Sequence, residues 1–281
     1  MVFEKKQIKF NHTNLSWLLF VLLMPIAGFW RAWQWYFNRV NSSVEEAVGL
    51  IAIFIFLTFI AVRLLYQRKS YYQFSLQPVA VMLLVYGLSF FLPIPSIIRA
   101  AMAFMTISII VYWTSFGKHP PIAFWALVML SLPIVPSLQF YLGYPARYIS
   151  ASIAVPLLQM NGLSVTQSGT YLVWQNQMVQ FDAPCSGVTM LWAGLFFSLF
   201  ISLVYRFNLL KMVFALFASC IIVLFGNVLR ATSLFYIEAG FIKNNQPWLH
   251  EGIGVIAFLA TAFGILVTLS RFQQWSISRS I

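Results

Sequence analysis

The sequence is poor in cysteine, histidine and acid: 281 residues hold two Cys, three His and six Asp plus Glu, and charged residues of both signs reach only 8%. Two cysteines, Cys185 and Cys220, exclude a disulfide framework, and Cys220 lies deep in an apolar stretch, where a thiol behaves as a small buried hydrophobe. The three histidines are too dispersed for a metal cluster, with His12 near the start of the first apolar run and His119 in a loop. The net charge is +11, but the 17 Lys and Arg stand singly or in pairs and never form a run, which excludes a nucleic-acid footprint. Internal repeats, heptad arrays and low-complexity tracts are missing as well, and no segment is polar and long enough to form a soluble domain.

What the chain has in abundance is apolar surface. Hydrophobic residues make up 61% and the mean hydropathy is +0.84, more than a water-soluble fold of this length can hide in its core. The fold class expected is therefore an all-α polytopic membrane protein forming a single membrane domain over residues 1–281. A span needs about 20 apolar residues. That rule places eight transmembrane helices, at 15–33, 47–65, 77–94, 97–114, 121–138, 185–204, 210–229 and 251–270. Lys5, Lys6 and Lys9 before the first apolar run resemble a signal sequence, but no small-residue cleavage site follows, so the run is expected to remain as the first span.

The basic residues orient the spans. With the N-terminus cytoplasmic, the outer segments hold six of the 17, namely Arg31, Arg39, Arg99, Arg147, Arg230 and Lys243, and the inner segments hold the other eleven. Both termini are then cytoplasmic. Trp30, Trp33, Trp35 and Tyr36 after span one, Tyr112 and Trp113 at the end of span four, and Trp248 before span eight fit the headgroup level. The one long connection, about 139–184, is expected outside as a small cap: a surface-lying helix over YLGYPARYISASIAVPLLQM, then a hairpin punctuated by Ser168-Gly169 and Gln175-Asn176.

That cap leads into FDAPCSGVTMLWAGLFF, where a thiol, a carboxylate, a proline and a glycine stand before an apolar run. Ala183 precedes a proline and is pushed out of the helical region, so the helix is predicted to start at Pro184 with Cys185 in its first turn. Free N–H groups and the helix dipole favour a thiolate there. Gly187 lets another chain or a substrate backbone approach closely. Asp182 needs no catalytic role, since a carboxylate before a helix N-terminus is stabilising by itself.

Span seven runs outward and ends in FGNVLRATSLF, bringing Arg230 to the outer face with Asn227 on the same side of the helix; span eight runs inward from WLHEGIGVIAF, with His250 at its outer start. Consecutive antiparallel helices tend to be neighbours, so a thiol, a guanidinium and an imidazole converge at one level. Chemically the set is coherent: a thiolate attacks a carbonyl, an imidazole moves protons near neutral pH, and a permanently charged guanidinium stabilises an oxyanion, keeps the thiolate ionised or clamps the substrate. The backbone N–H of Ser186 is a second candidate oxyanion donor. Asn227 either orients Arg230 or packs between helices. Each residue alone also has a plain structural reading: a cysteine at a helix start, an arginine anchored to lipid phosphate, an incidental interfacial histidine.

Other classes fit less well. A multi-span transporter without peptidase activity finds support in Pro133 and Pro136, but the charges lie at span ends and no inverted halves are visible. His250-Glu251 opens an HExxH zinc motif that Gly254 leaves unfinished, and Ser186 lacks the glycine pattern of a nucleophile elbow. A scaffold protein remains, and it requires Cys185, Arg230 and His250 to be dispensable.

Three blocks, APCSG at 183–187, NVLRA at 227–231 and HEGIGVIAF from His250, resemble in order and spacing the exosortase/archaeosortase family of membrane-embedded cysteine transpeptidases. Residues 180–260 carry the signal and form the expected catalytic core; Val188-Thr189 stand where the family often has an isoleucine and a basic or bulky residue. The resemblance implies that Cys185 is the nucleophile and that Arg230 and His250 are the essential arginine and histidine. It implies exported proteins with a C-terminal tripartite signal as partners: a short motif, a transmembrane helix and a basic tail. Their acyl group would pass through a thioester to an unidentified surface acceptor. Membrane lipid is the other partner expected, the location is the bacterial inner membrane with the active site on the extracytoplasmic face, and neither a metal nor an organic cofactor is implied.

Overall fold

The computed structural model describes residues 7–9, 12–66, 70–72, 75–180, 187–241 and 247–278. Lys5, Lys6, Arg68, Lys69, Asp182, Pro184, Cys185, Ser186, Lys243 and Arg279 lie outside them. The fold is overwhelmingly helical and comprises two compact units, Met1–Ile134 and Val135–Ile281. Among the described residues three helices are long and apolar enough to cross a membrane, Ser96–Phe116, Leu209–Glu238 and Trp248–Gln274, and a fourth span results if Ile122–Leu130 and Val135–Met160 count together.

In the first unit, β1 (Gln7–Lys9) pairs antiparallel with β2 (Ser70–Tyr72). Four helices lie between these strands: α1 (His12–Gly28), α2 (Trp30–Val40), the single turn α3 (Val44–Ala47) and α4 (Gly49–Tyr66). The first expected span, 15–33, is thus broken at Gly28, which packs on Leu83, and Phe29 beyond it is fully buried. The aromatic cluster falls on α2, a separate helix that buries Ala32, Tyr36 and Val40 along one face. Ser43 caps α3 by accepting from the N–H of Glu46, whose nearly buried carboxylate meets Arg39 at 2.6 Å.

After β2 come α5 (Gln77–Leu88), α6 (Ser96–Phe116) and α7 (Ile122–Leu130). Arg99, a charge at the start of an apolar helix, is satisfied locally. Its guanidinium donates to the carbonyl of Ser89 at 2.8 Å and to the Ser89 hydroxyl at 3.1 Å, and it lies 4.3 Å from the Phe90 ring centroid. The expected fifth span, 121–138, is not one helix. α7 stops at Leu130 because Pro133 follows, and Tyr36 donates to the freed carbonyl of Ser131 at 3.1 Å.

The second unit opens with α8 (Val135–Met160). The expected surface-lying helix is the greater part of this 26-residue element, which packs lengthwise on a later helix: Ala151, Ala154 and Leu158 share a core with Ala231 and Phe235. The expected hairpin is a three-stranded antiparallel meander, β3 (Thr166–Ser168), β4 (Tyr171–Trp174) and β5 (Gln177–Gln180). Val165, Leu172 and Val179 join the same core, and the side-chain amide of Gln159 donates to the carbonyl of Val165 at 2.9 Å.

Three antiparallel helices complete the unit: α9 (Val188–Val204), α10 (Leu209–Glu238) and α11 (Pro247–Ser278). They close through residues without side chains. A Cβ at Gly194 would collide with Val223 of α10, and one at Gly226 would collide with Thr261 of α11. α9 begins at Val188, behind Gly187 in the left-handed conformation, φ +73°; the predicted helix start at Pro184 lies outside the described residues.

The β4–β5 turn carries the meander's backbone strain, since Gln175 and Asn176 both have positive φ, +48° and +62°. That is the pattern of a two-residue primed turn. Asn176→Gly is expected to leave the melting temperature of the detergent-solubilised protein unchanged or raised, whereas Asn176→Val should lower stability by about 1–2 kcal/mol, read by thermal unfolding.

Candidate functional site

Four helices of the second unit meet near the described start of α9. Gly187, the residue before that helix, lies flat on the side chain of Asn227 in α10: a Cβ there would stand 2.5 Å from Asn227 Cγ and 2.8 Å from both amide heteroatoms. The close approach expected at Gly187 is therefore made by α10. Asn227 is 3% exposed, and its Nδ2 donates to the hydroxyl of Ser150 on α8 at 3.1 Å, although Ser150 is 77 residues away in sequence. One amide thus joins α8, α10 and the residue that leads α9. A buried amide so held fixes the relative register of its helices, because losing a partner would strand a polar group in an apolar interior.

Three residues on, Arg230 is half-buried on α10. Its guanidinium rests on α11: the Cβ position of Gly254 lies 3.4 Å from Arg230 Nε, 3.7 Å from Nη2 and 3.8 Å from Cζ, which is ordinary van der Waals contact. His250 stands in the first turn of α11, one helical turn before Gly254 and on the same face. Arg230 therefore lies alongside the helix face that carries His250. α10 does not end near Arg230 as span seven does, but continues eight residues further to Glu238, where Ala231 and Phe235 pack under the meander. The arginine belongs to the body of a helix pair rather than to a helix terminus.

Of the five site residues expected from sequence, the structure brings Arg230 to the His250 face of α11, and Asn227, on Arg230's own helix, to Gly187. Cys185 and Ser186 lie outside the described residues, two and one positions before Gly187 in the chain. Two residues escaped the sequence reading. Ser150 gave no local sign, being one serine in a helix 77 residues before its partner. Gly254 entered only as the residue that denies a zinc motif, although its spacing of four from His250 marks it as the next residue on that face.

The chemistry open to this arrangement follows from its parts. A guanidinium lying along a helix keeps its charge at any working pH and is a group of the kind that stabilises a developing anion. An imidazole one turn away is suited to proton transfer near neutrality.

Compared with known proteins, the chain matches the family model for transmembrane exosortases over residues 40–267. No curated protein and no solved structure matches it. The matched region covers most of the chain, from the end of α2 into α11, and includes Ser150, Gly187, Asn227, Arg230, His250 and Gly254. This membrane protein belongs to the transmembrane exosortase family.

Proposed function

We propose that the protein is a cysteine-dependent sorting transpeptidase that cuts a C-terminal tripartite signal from exported proteins and passes them to an acceptor. Family membership supports a membrane sorting transpeptidase in general terms. The observation that carries the finer reading is the guanidinium of Arg230 lying on Gly254, one turn from His250.

In this reading the Cys185 thiolate attacks the carbonyl carbon of the scissile peptide, and the carbonyl π pair moves onto oxygen. The oxyanion is stabilised by Arg230 and by the backbone N–H of Ser186. Collapse breaks the C–N bond, the departing amine takes a proton from imidazolium His250, and a thioester to Cys185 remains. The neutral imidazole then removes a proton from an acceptor amine as that amine displaces the thiolate. Asn227 and Gly254 act through Arg230 and Gly187, as positioning residues. The reading includes eight spans, both termini in the cytoplasm of a bacterial inner membrane, and chemistry on the extracytoplasmic side near the headgroups, where an extended chain and an acceptor are both within reach. Membrane lipid and a still unidentified acceptor are the partners besides the exported proteins.

Candidate substrates are short exported proteins from the same genome that share a motif followed by one apolar span and a basic cluster. Cys185→Ala should insert normally and abolish their maturation on immunoblots; normal maturation in that variant rejects the proposal. Arg230→Lys should cut the processing rate by about 100-fold or more, since an ammonium does not reproduce the planar fork; near-normal rates would reduce Arg230 to a simple charge. A graded series at Gly254 tests the contact itself. Gly254→Ala meets the guanidinium at van der Waals distance and should keep most activity, whereas Gly254→Leu should displace it and lower the rate to the level of Arg230→Lys without changing membrane insertion.

A further inference from the structure

Three apolar helices of the first unit end at one level. α1 packs antiparallel on α6: Val21 shares a core with Ile110 and Trp113, and two turns later buried Phe29 meets Ala103, so the end of α1 lies beside the start of α6. α5 follows α1, with Val79 in the first of these cores and Tyr86 in the second, and it closes in the single turn Ser89–Phe91. Where neighbouring apolar helices stop together, the hydrocarbon gives way to headgroups. Arg31, in the first turn of α2, and Arg99, in the first turn of α6, both stand there and share one ring: their guanidinium carbons lie 5.5 Å and 4.3 Å from the Phe90 centroid. Tyr86, one turn before Phe90, carries a hydroxyl within electrostatic range of both charges.

Two cations on one ring repel each other unless an anion joins them. Among the described residues none does, since the carboxylates of the first unit, Glu45 and Glu46, lie beyond the far end of α2, where Glu46 is held by Arg39. Arg99 is oriented through Nε and Nη2 by Ser89 and Leu92, which leaves its Nη1 without a partner among the described residues; exposed Arg31 makes no hydrogen bond or ion pair with them. The first-turn N–H groups of α2 and α6 add to the positive potential. Forked donors of this kind match phosphate oxygens. Around them Trp30, Leu88, Phe91 and Leu92 are exposed apolar side chains, a surface that acyl chains cover and a free phosphate does not use. We infer that Arg31 and Arg99 form a binding site, floored by Phe90, for the phosphate of an anionic phospholipid. The site lies within the first unit and stands independently of the proposed function.

The test reads the lipid at the site itself. The full-length protein, with photoreactive benzoylphenylalanine in place of Phe91, which is 86% exposed beside Phe90, is reconstituted in vesicles of equal parts phosphatidylglycerol and phosphatidylcholine. After illumination, mass spectrometry of the adducts should show phosphatidylglycerol enriched by about 5-fold or more over phosphatidylcholine. Arg31→Gln removes an exposed charge and breaks no hydrogen bond among the described residues, so the protein should still fold, and the adducts should return to the bulk ratio. Arg147→Gln, which removes one positive charge from the second unit, should leave the enrichment intact. An adduct ratio equal to that of the bulk, or an enrichment that survives Arg31→Gln or is lost equally in Arg147→Gln, overturns the site. Inorganic phosphate in the buffer should change nothing; if it abolishes the enrichment, the ligand is a free anion and the lipid assignment is overturned.

Discussion

Close backbone approach between α9, α10 and α11 is the constraint on which the candidate site depends. Lipid tails are as apolar as leucine, so apolar helices in a membrane gain little by merely hiding from their surroundings and associate through tight packing and interhelical hydrogen bonds. In this chain the packing runs through glycines: Gly194 against Val223, Gly226 against Thr261, Gly187 against the Asn227 amide and Gly254 against the Arg230 guanidinium. The first two contacts bring the backbones together, and Gly187 uses the same device to seat the Asn227 amide, while the Arg230 guanidinium lies at ordinary contact distance from the Cβ position of Gly254. One packing rule therefore both holds the bundle and sets the geometry of Asn227.

α8 and the meander extend this arrangement beyond the three helices. Ser150 ties α8 to Asn227, while Val165, Leu172 and Val179 cover the last turns of α8 and α10 beyond the site. The core over Ala231 and Phe235 fixes α10 immediately after Arg230, so the helix bearing the arginine is clamped by Gly187 and Gly254 contacts on one side and the meander on the other. An arginine in an apolar helix is costly unless its charge is shielded or used. Its placement inside a packed helix pair, rather than at a fraying end, sets the guanidinium against α11 at the Gly254 position.

The sequence made the helical class, the β-rich segment before residue 181, and the approach of Arg230 to α11 legible, because each is written in local pattern: long apolar runs, Ser168-Gly169 and Gln175-Asn176 turn signals, and consecutive apolar helices joined by short connections, although α10 runs on past Arg230 instead of ending there. What it hid depends on tertiary contact. Nothing in the apolar run around Gly28 announces the interruption at buried Phe29 that divides one expected span into α1 and α2. The left-handed backbone of Gly187 just before Val188 is set by its contact with Asn227 of α10, which no local pattern announces. The apolar and aromatic mixture of residues 139–160 predicts a helix but not its neighbour, and the pairing of Ala154 and Leu158 with Ala231 and Phe235 of α10 is a tertiary contact that no local pattern announces.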